Sequence, residues 1–236
     1  MTSSTAASDQ DVSANNVGCL FAVDEPLVEQ QFHFGGQDQC LKILPSSQQS
    51  FNVQGHVLWP SAPKLSGFLC DTVEGRSLLQ SVIPSNRMIK AAELGSGCGL
   101  AGIVLAQQLS HLTKESFVLL SDYDREVVDL LTSNASSISN AQVKKLDWRI
   151  PLVDQSIESA SFDLLIASDV TYATELLPPL FTCAYNMLRS GSPFLLVNGR
   201  WRYFEDQSHQ AAIKAGFTLL WERSEDAFVL SQWQKP

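Results

Sequence analysis

The sequence lacks several features that would define its class at once. No apolar run approaches 18 residues, which argues against a membrane-spanning helix. The first 41 residues carry six acidic side chains and no Lys or Arg. A secretory leader has a basic start and an apolar stretch, and a mitochondrial presequence is rich in Arg, so neither is expected here. We therefore expect a cytoplasmic protein, with the nucleus as a second location.

Paired cysteines are also missing. The five cysteines are scattered, and no two of them have CxxC spacing. Zinc sites and disulfide frameworks both need clustered or paired positions, so free thiols in a reducing compartment are the better interpretation. The four histidines are dispersed as well. We expect no metal site.

Basic charge is scarce, with 16 Lys and Arg against 25 Asp and Glu, for a net charge of −9. Without a basic patch, tight binding to nucleic acid has little electrostatic support. An acidic surface suits a basic protein partner, although solubility explains the charge equally well. We expect a monomer that binds a protein substrate, and neither a nucleic acid nor a membrane.

What is present, after Pro84, is a regular alternation of strands and helices. It predicts an α/β, Rossmann-like fold with a seven-stranded, mostly parallel sheet and helices on both faces. The last two predicted strands, residues 217–221 and 227–232, are too close in sequence for a parallel crossover. We therefore predict a C-terminal antiparallel hairpin at one edge of the sheet.

One domain accounts for most of the chain. Residues 1–18 are predicted to be a disordered acidic tail because they are polar and lack aromatic side chains. Residues 19–236 form the domain: a short N-terminal β extension (19–54), a Trp-Pro element and helix (55–84), and the core (85–236). A hairpin is predicted from residues 29–34 and 40–44, and an amphipathic helical stretch from residues 62–79.

A glycine-rich segment, Ala91-Ala-Glu-Leu-Gly-Ser-Gly-Cys-Gly-Leu100, joins a predicted strand to a helix. Glycines there allow a tight turn and close approach of a ligand, and the helix start offers free N–H groups. Gly97, Gly99 and Gly102 also satisfy the dinucleotide pattern GxGxxG, and Asp122 ends the next strand, where a ribose-binding acid belongs. The spacing alone leaves an NAD(P)-dependent oxidoreductase open beside an enzyme that uses S-adenosylmethionine (SAM).

Three features favour SAM. Glu93 lies two residues before the first glycine, where a carboxylate can pair with a cationic ligand but fits poorly beside a pyrophosphate. SAM has no phosphate and carries an amine and a sulfonium. About 90 residues precede the loop, and the terminal hairpin is foreign to the dinucleotide fold.

Glu93-Leu-Gly-Ser-Gly-Cys-Gly-Leu100 resembles motif I of the seven-β-strand (class I) SAM-dependent methyltransferases. Gly55-His-Val-Leu-Trp-Pro60 and Asp169-Val-Thr-Tyr172 resemble the signatures of one subfamily, the protein-lysine methyltransferases that modify calmodulin, valosin-containing protein, chaperones and elongation factors. The resemblance extends from about residue 32 to 233. It implies transfer of a methyl group from SAM to a lysine. A small-molecule or protein-arginine methyltransferase remains an alternative, because this fold does not choose the acceptor.

The resemblance also implies a role for individual residues of the cofactor site. Trp59 is expected to shape the pocket, and Gly95, Ser96 and Gly97 to wrap the methionine half of SAM with backbone contacts. Asp122 is expected to take both ribose hydroxyls, since a carboxylate has two acceptor oxygens. Asp124 competes for that role but is better placed to cap the next helix.

For the rest of the site, Trp148 is expected to border the adenine and Ser168 to line the pocket beneath the transferable methyl. Asp169 is expected to bind and orient the lysine amine, and Tyr172 to form a wall of its channel. Purely structural alternatives remain: core packing for both tryptophans and a helix cap for Asp169. We interpret Cys98 and His56 as structural and assign neither to the site.

Overall fold

The computed structural model describes residues 27–45 and 54–236, so the predicted acidic tail lies outside the described residues. Its first elements are two antiparallel strands, β1 (Val28–Phe34) and β2 (Gln37–Ile43). They are joined by Gly35 and Gly36, which both have positive φ angles. This confirms the predicted N-terminal hairpin.

A seven-stranded sheet forms the centre of the molecule, in the order β5-β4-β3-β6-β7-β9-β8. Its strands are β3 (Ile89–Leu94), β4 (Ser116–Asp122), β5 (Ala141–Lys145), β6 (Leu164–Ser168), β7 (Pro193–Gly199), β8 (Thr218–Glu225) and β9 (Phe228–Gln234). The strands β3 to β7 are parallel, whereas β9 runs antiparallel to both of its neighbours. The fold class and the terminal hairpin are confirmed.

Helices cover both faces of this sheet. They are α1 (Ser61–Asp71), α2 (Val73–Ser81), α3 (Leu100–Leu112), α4 (Arg125–Ala135), α5 (Leu177–Met187) and α6 (Glu205–Ala215). The helices α1 to α4 share one hydrophobic core with one face, and α5 and α6 share a second core with the other. All seven residues of β7 are buried, as expected for a strand covered on both sides. None of the described helices is long and apolar enough to span a membrane.

The helical stretch predicted over residues 62–79 is two helices rather than one. Thr72 between them is extended, and its Oγ1 accepts a hydrogen bond from Gly75 N at 2.9 Å, which caps α2. A Cβ at Gly75 would lie 2.0 Å from the carbonyl oxygen of Phe68, so the two helices meet too closely for any side chain there. Both helices face the same core, and the apolar periodicity therefore continues across the break.

Candidate active site

A cavity of about 310 Å³ opens at the carboxyl ends of β3, β4 and β6. Open α/β sheets bind ligands at this edge, and the volume is at the lower end of the range for small-molecule sites. The lining residues come from five parts of the chain: residues within 54–59, Gly95 and Gly97 of the glycine loop (residues 95–99) after β3, residues within 122–127, Trp148, and residues within 168–176. The cavity thus joins segments that lie up to 120 residues apart in the sequence.

The glycine loop has a backbone that other residues would not adopt. Gly95, Gly97 and Gly99 have φ angles of +66°, +51° and +93°, a region that L-residues rarely occupy. A Cβ at Gly95 would lie 2.8 Å from Cγ1 of Val170 and 3.3 Å from Cζ2 of Trp148. The loop therefore presents bare backbone to the cavity, which lets a ligand approach closely.

Ser96 ties this loop to β4. Its N–H donates to the carbonyl of Ser121 at 2.8 Å, and its Oγ accepts from Ser121 N at 3.0 Å. Ser96 is buried and does not line the cavity. The Ser96 side chain thus supports the glycine loop from behind the cavity wall.

Glu93 does not line the cavity either, contrary to the expectation that it faces a cationic ligand. Its side chain is 1% exposed, and Oε2 accepts a hydrogen bond from Gly102 N at 2.9 Å. Gly102 lies in the first turn of α3, where the backbone N–H groups have no acceptor within the helix. The N-cap residue, Gly99, has no side chain that could accept a hydrogen bond from them. Burial raises the pKa of Glu93 to about 8.

The two acids after β4 have separate tasks. Asp124 is the N-cap of α4, and its Oδ1 accepts from Glu126 N at 2.8 Å and Val127 N at 3.4 Å. This confirms the predicted cap. The Asp122 carboxylate accepts from Gly97 N at 3.1 Å and Asp124 N at 3.2 Å, and burial raises its pKa. Both acids line the cavity, with Asp122 fixed directly against the glycine loop.

Two tryptophans line the same cavity. The Trp59 indole N–H donates to the carbonyl of Gln54 at 2.9 Å, which holds the ring beside the start of α1. Trp148 is half-buried, and its ring edge lies against Gly95. Trp148 also packs on the core beneath α5 and α6. Core packing and a place in the cavity wall are therefore compatible for this side chain.

Asp169 is held by distant parts of the chain. It is 5% exposed, has a φ of +53°, and accepts at Oδ1 from Gly199 N at 2.8 Å and at Oδ2 from Ser61 N at 3.4 Å. Gly199 ends β7, and Ser61 is the first residue of α1, whose N-cap residue Pro60 has no side-chain bond. The carboxylate thus supports the start of α1, a helix 108 residues earlier in the chain.

The rest of the loop after β6 is fixed as well. The Thr171 hydroxyl donates to Oδ1 of Asn198 at 2.9 Å, and both side chains are 1% exposed. Ser168 and Tyr172 are half-buried and line the cavity. The cavity therefore brings together eight of the ten residues predicted for the site: Trp59, Gly95, Gly97, Asp122, Trp148, Ser168, Asp169 and Tyr172.

Sequence reasoning missed parts of the lining. Gln54, Val170 and Glu175 line the cavity, as does His56, for which the sequence indicates only a structural role. The only indication for His56 was its place in the motif that contains Trp59. Cys98 does have a structural environment: its thiol donates to the carbonyl of His56 at 3.1 Å, and burial raises its pKa to about 12.

Comparison with known proteins places this geometry in a family. The model of the lysine methyltransferase family matches residues 37–215. The bovine (Bos taurus) protein-lysine methyltransferase METTL21E is 28% identical, over 70% of this chain and 52% of its own length. The Xenopus tropicalis protein N-lysine methyltransferase METTL21A is 29% identical, over 77% and 84%.

A Dictyostelium discoideum histidine protein methyltransferase 1 homolog is 31% identical, over 46% of this chain and 34% of that protein. The chain thus spans about half the length of the bovine relative and a third of the Dictyostelium one.

Among solved structures, the T. thermophilus 16S rRNA N2 G1207 methyltransferase, in complex with AdoMet and guanosine, superposes with a TM-score of 0.52 at 16% identity. The match covers 88% of this chain and 45% of that one, and it concerns the fold alone. The family model, by contrast, spans three quarters of the sequence, including the glycine loop and the loop after β6. The chain belongs to the lysine methyltransferase family.

Proposed function

We propose that this protein transfers a methyl group from SAM to the ε-amine of a lysine in a protein substrate. The observation that carries the proposal is the single cavity that joins the glycine loop and Asp122 to the loop containing Asp169 and Tyr172. A cofactor and an acceptor must meet in one enclosed place for group transfer, and this cavity provides it. Membership of the lysine methyltransferase family supports the acceptor class.

The charges around the cavity fit SAM. Among the described residues that line it are Asp122, Asp124, Asp169 and Glu175, and none is Lys or Arg. SAM carries an ammonium, a sulfonium and one carboxylate, so its net charge is positive, whereas a nicotinamide dinucleotide would bring a pyrophosphate close to these acids. This argument favours SAM without any contribution from Glu93.

The residues that would hold SAM follow from the geometry. Backbone groups of Gly95 and Gly97 would contact its methionine half, because a Cβ at Gly95 would press on the opposite wall. The Asp122 carboxylate would accept from the ribose hydroxyls, and the Trp148 ring beside Gly95 would border the adenine. When bound, SAM supplies a methyl group that the adjacent sulfonium activates.

The acceptor side has to deliver a neutral amine. A lysine ammonium has a pKa near ~10.4, and it must lose its proton to solvent water before the nitrogen can attack. The aromatic rings of Trp59 and Tyr172 would surround the lysine side chain, and loss of water there favours the neutral form. Both oxygens of Asp169 already accept backbone N–H bonds, so its role would be to fix the loop and to attract the approaching ammonium.

A labelling experiment tests this proposal. The full chain is incubated with cell extract and SAM labelled with tritium in the methyl group, in parallel with a reaction that contains excess S-adenosylhomocysteine. We expect a labelled protein band that the inhibitor removes, and methyl-lysine after complete acid hydrolysis of that band. Methylhistidine or methylarginine in the hydrolysate would contradict the lysine acceptor, and label confined to small molecules would contradict a protein substrate.

The protein is further proposed to act as a monomer in the cytoplasm or nucleus. Cys40, Cys70, Cys98 and Cys183 are free thiols, as suits a reducing compartment. Light scattering coupled to gel filtration, and imaging of a tagged chain in cells, test the two statements separately. A stable dimer or a secreted product would contradict them.

A further inference from the structure

His56 lines the cavity and carries a buried ring nitrogen without a hydrogen-bond partner among the described residues. It ends the short 3₁₀ helix Gln54–His56 and is 6% exposed. Its Nδ1 is buried and has no hydrogen-bond partner among the described residues. Buried polar atoms are almost always paired, and an unpaired one at the wall of a ligand cavity indicates a partner that arrives with the ligand.

The backbone around His56 is attached to the glycine loop. The carbonyl of His56 accepts from the Cys98 thiol at 3.1 Å, and a Cβ on Gly97 would lie 3.1 Å from the carbonyl oxygen of Gly55. The backbone that carries the imidazole is therefore fixed beside the turn that leads into α3. A helix start favours negative charge. The unpaired nitrogen of His56 and the start of α3 are therefore two independent features that favour an anionic group here.

The acidic side chains of the cavity provide no partner for the carboxylate of SAM. Four acids in the lining can attract its ammonium and sulfonium or accept from its hydroxyls. Its carboxylate would face these acids, and the described lining contains no Lys or Arg to offset them. His56 is the one side chain in this described lining that can carry a positive charge, and in either protonation state it can donate an N–H.

We infer that His56 binds the carboxylate of the methionine end of SAM, and so selects ligands that carry a carboxylate. This assignment rests on the proposed use of SAM and adds a specificity residue to that site. The imidazole N–H donates to a carboxylate oxygen next to the glycine loop, while the acids hold the cationic groups of the same ligand.

Ligand binding without turnover tests the assignment. Calorimetry compares S-adenosylhomocysteine with its decarboxylated analogue, which keeps the nucleoside, the thioether and the amine. The proteins are wild type, His56→Phe, His56→Gln and, as a matched control, His111→Phe at an exposed position. Loss of a hydrogen bond to a charged group predicts a roughly tenfold or greater weakening for S-adenosylhomocysteine in His56→Phe, with the affinity of the analogue unchanged.

The Gln variant keeps an N–H donor and is expected to recover part of the lost affinity, and His111→Phe is expected to match wild type. Equal weakening of both ligands would assign His56 to packing and overturn the inference alone, as would unchanged binding of S-adenosylhomocysteine. If neither ligand binds wild type, the proposed function fails, and this assignment fails with it. Thermal unfolding without ligand establishes that each variant is folded.

Discussion

The loop after β3 and the loop after β6 meet at the same edge of the sheet, yet they hold their shapes in opposite ways. The glycine loop reaches positive φ angles by omitting side chains. The second loop reaches a similar angle at Asp169, φ +53°, with a side chain in place. A left-handed conformation costs a non-glycine residue about 1–2 kcal/mol, although Asp tolerates it better than most. The two hydrogen bonds to its carboxylate offset that cost.

The difference in backbone corresponds to what each loop would contribute under the proposed function. A cofactor wall has to be thin, and glycine removes every atom that would stand between backbone and ligand. An acceptor wall has to present a charge at a fixed position, so its backbone is constrained by the side chain itself. Substitutions in the glycine loop should therefore affect cofactor binding, and substitutions at Asp169 should affect methyl transfer.

The largest effect is expected from Asp169→Asn. The amide nitrogen of Asn would face one of the two backbone N–H donors, and the negative charge at the acceptor wall would be lost. Loss of charged hydrogen bonds predicts a decrease in the methyl transfer rate of about 100-fold or more. The affinity for S-adenosylhomocysteine should stay within about threefold. Single-turnover rates and calorimetry measure the two quantities.

Asp169→Gly is the matched variant, because glycine keeps the φ angle without strain while the whole side chain, with its carboxylate, is removed. We expect the same loss of methyl transfer. If Asp169→Gly retained wild-type rates, the backbone shape of this loop would suffice, and the proposed role of the carboxylate would be wrong.

Gly95→Ala changes the glycine loop and should affect cofactor binding. The added methyl group would lie 2.8 Å from Val170, and the positive φ would be strained as well. We expect cofactor affinity to fall by at least about tenfold. Gly191→Ala is the control, since Gly191 has a φ of +79° with no atom within 4 Å of the added Cβ. It should lower the melting temperature and leave affinity unchanged; equal affinity loss in both variants would attribute the effect to strain alone.

Asp122→Ala and Asp124→Ala separate ligand binding from helix capping. Removing Asp122 should weaken binding of S-adenosylhomocysteine by roughly tenfold or more, because bonds between two hydroxyls and a charged acceptor are lost. Removing the cap at Asp124 should lower the free energy of unfolding by about 1 kcal/mol. If calorimetry showed weaker binding for Asp124→Ala, and denaturation showed lower stability for Asp122→Ala, the ribose contact would be assigned to Asp124 instead.

The smallest effect concerns Glu93 and the support beneath the glycine loop. Its pKa is raised from 4.5 to about 8 in the folded protein, so the folded chain keeps a proton that the unfolded chain releases. This stabilisation is complete below pH 4.5 and is lost as the pH rises through 8, by up to about 1.4 kcal/mol per pH unit. Urea denaturation at pH 6 and pH 7 should show wild type losing up to this amount relative to Glu93→Gln. Parallel losses in both proteins would show that Glu93 is not the titrating group.

Much of this architecture could be predicted from the sequence because its determinants are local. The alternation of apolar strands and amphipathic helices predicts the sheet, and the short link before β9 predicts its antiparallel hairpin. Asp124 immediately precedes a helix and was recognisable as its cap. The glycine loop follows a buried strand, so its place at the ligand edge also followed from local pattern.

The contacts that fix the site were not predictable, because they join residues far apart in the chain. Asp169 finds its partners 30 residues later and 108 residues earlier. Glu93 has the residue type of a ligand contact, but its carboxylate accepts the hydrogen bond of the Gly102 amide. That amide lacks a partner within the helix because it lies in the first turn of α3, whose N-cap residue is Gly99. His56 gives no local indication that it reaches the cavity, since no periodic pattern specifies the direction of a lone side chain.

The bonds of Asp169 restrict how the proposed acceptor site can change over evolution. One carboxylate holds the first residue of α1, two positions after Trp59, and the end of β7. A substitution that reshapes the acceptor wall at Asp169 would therefore also shift the start of α1 and, with it, Trp59, the ring proposed to lie beside the lysine. New specificities are more accessible at Ala173 and Glu175, which line the same cavity outside these bonds. Divergence between relatives in what they methylate should accordingly concentrate at such positions, while the residues that Asp169 ties together change slowly.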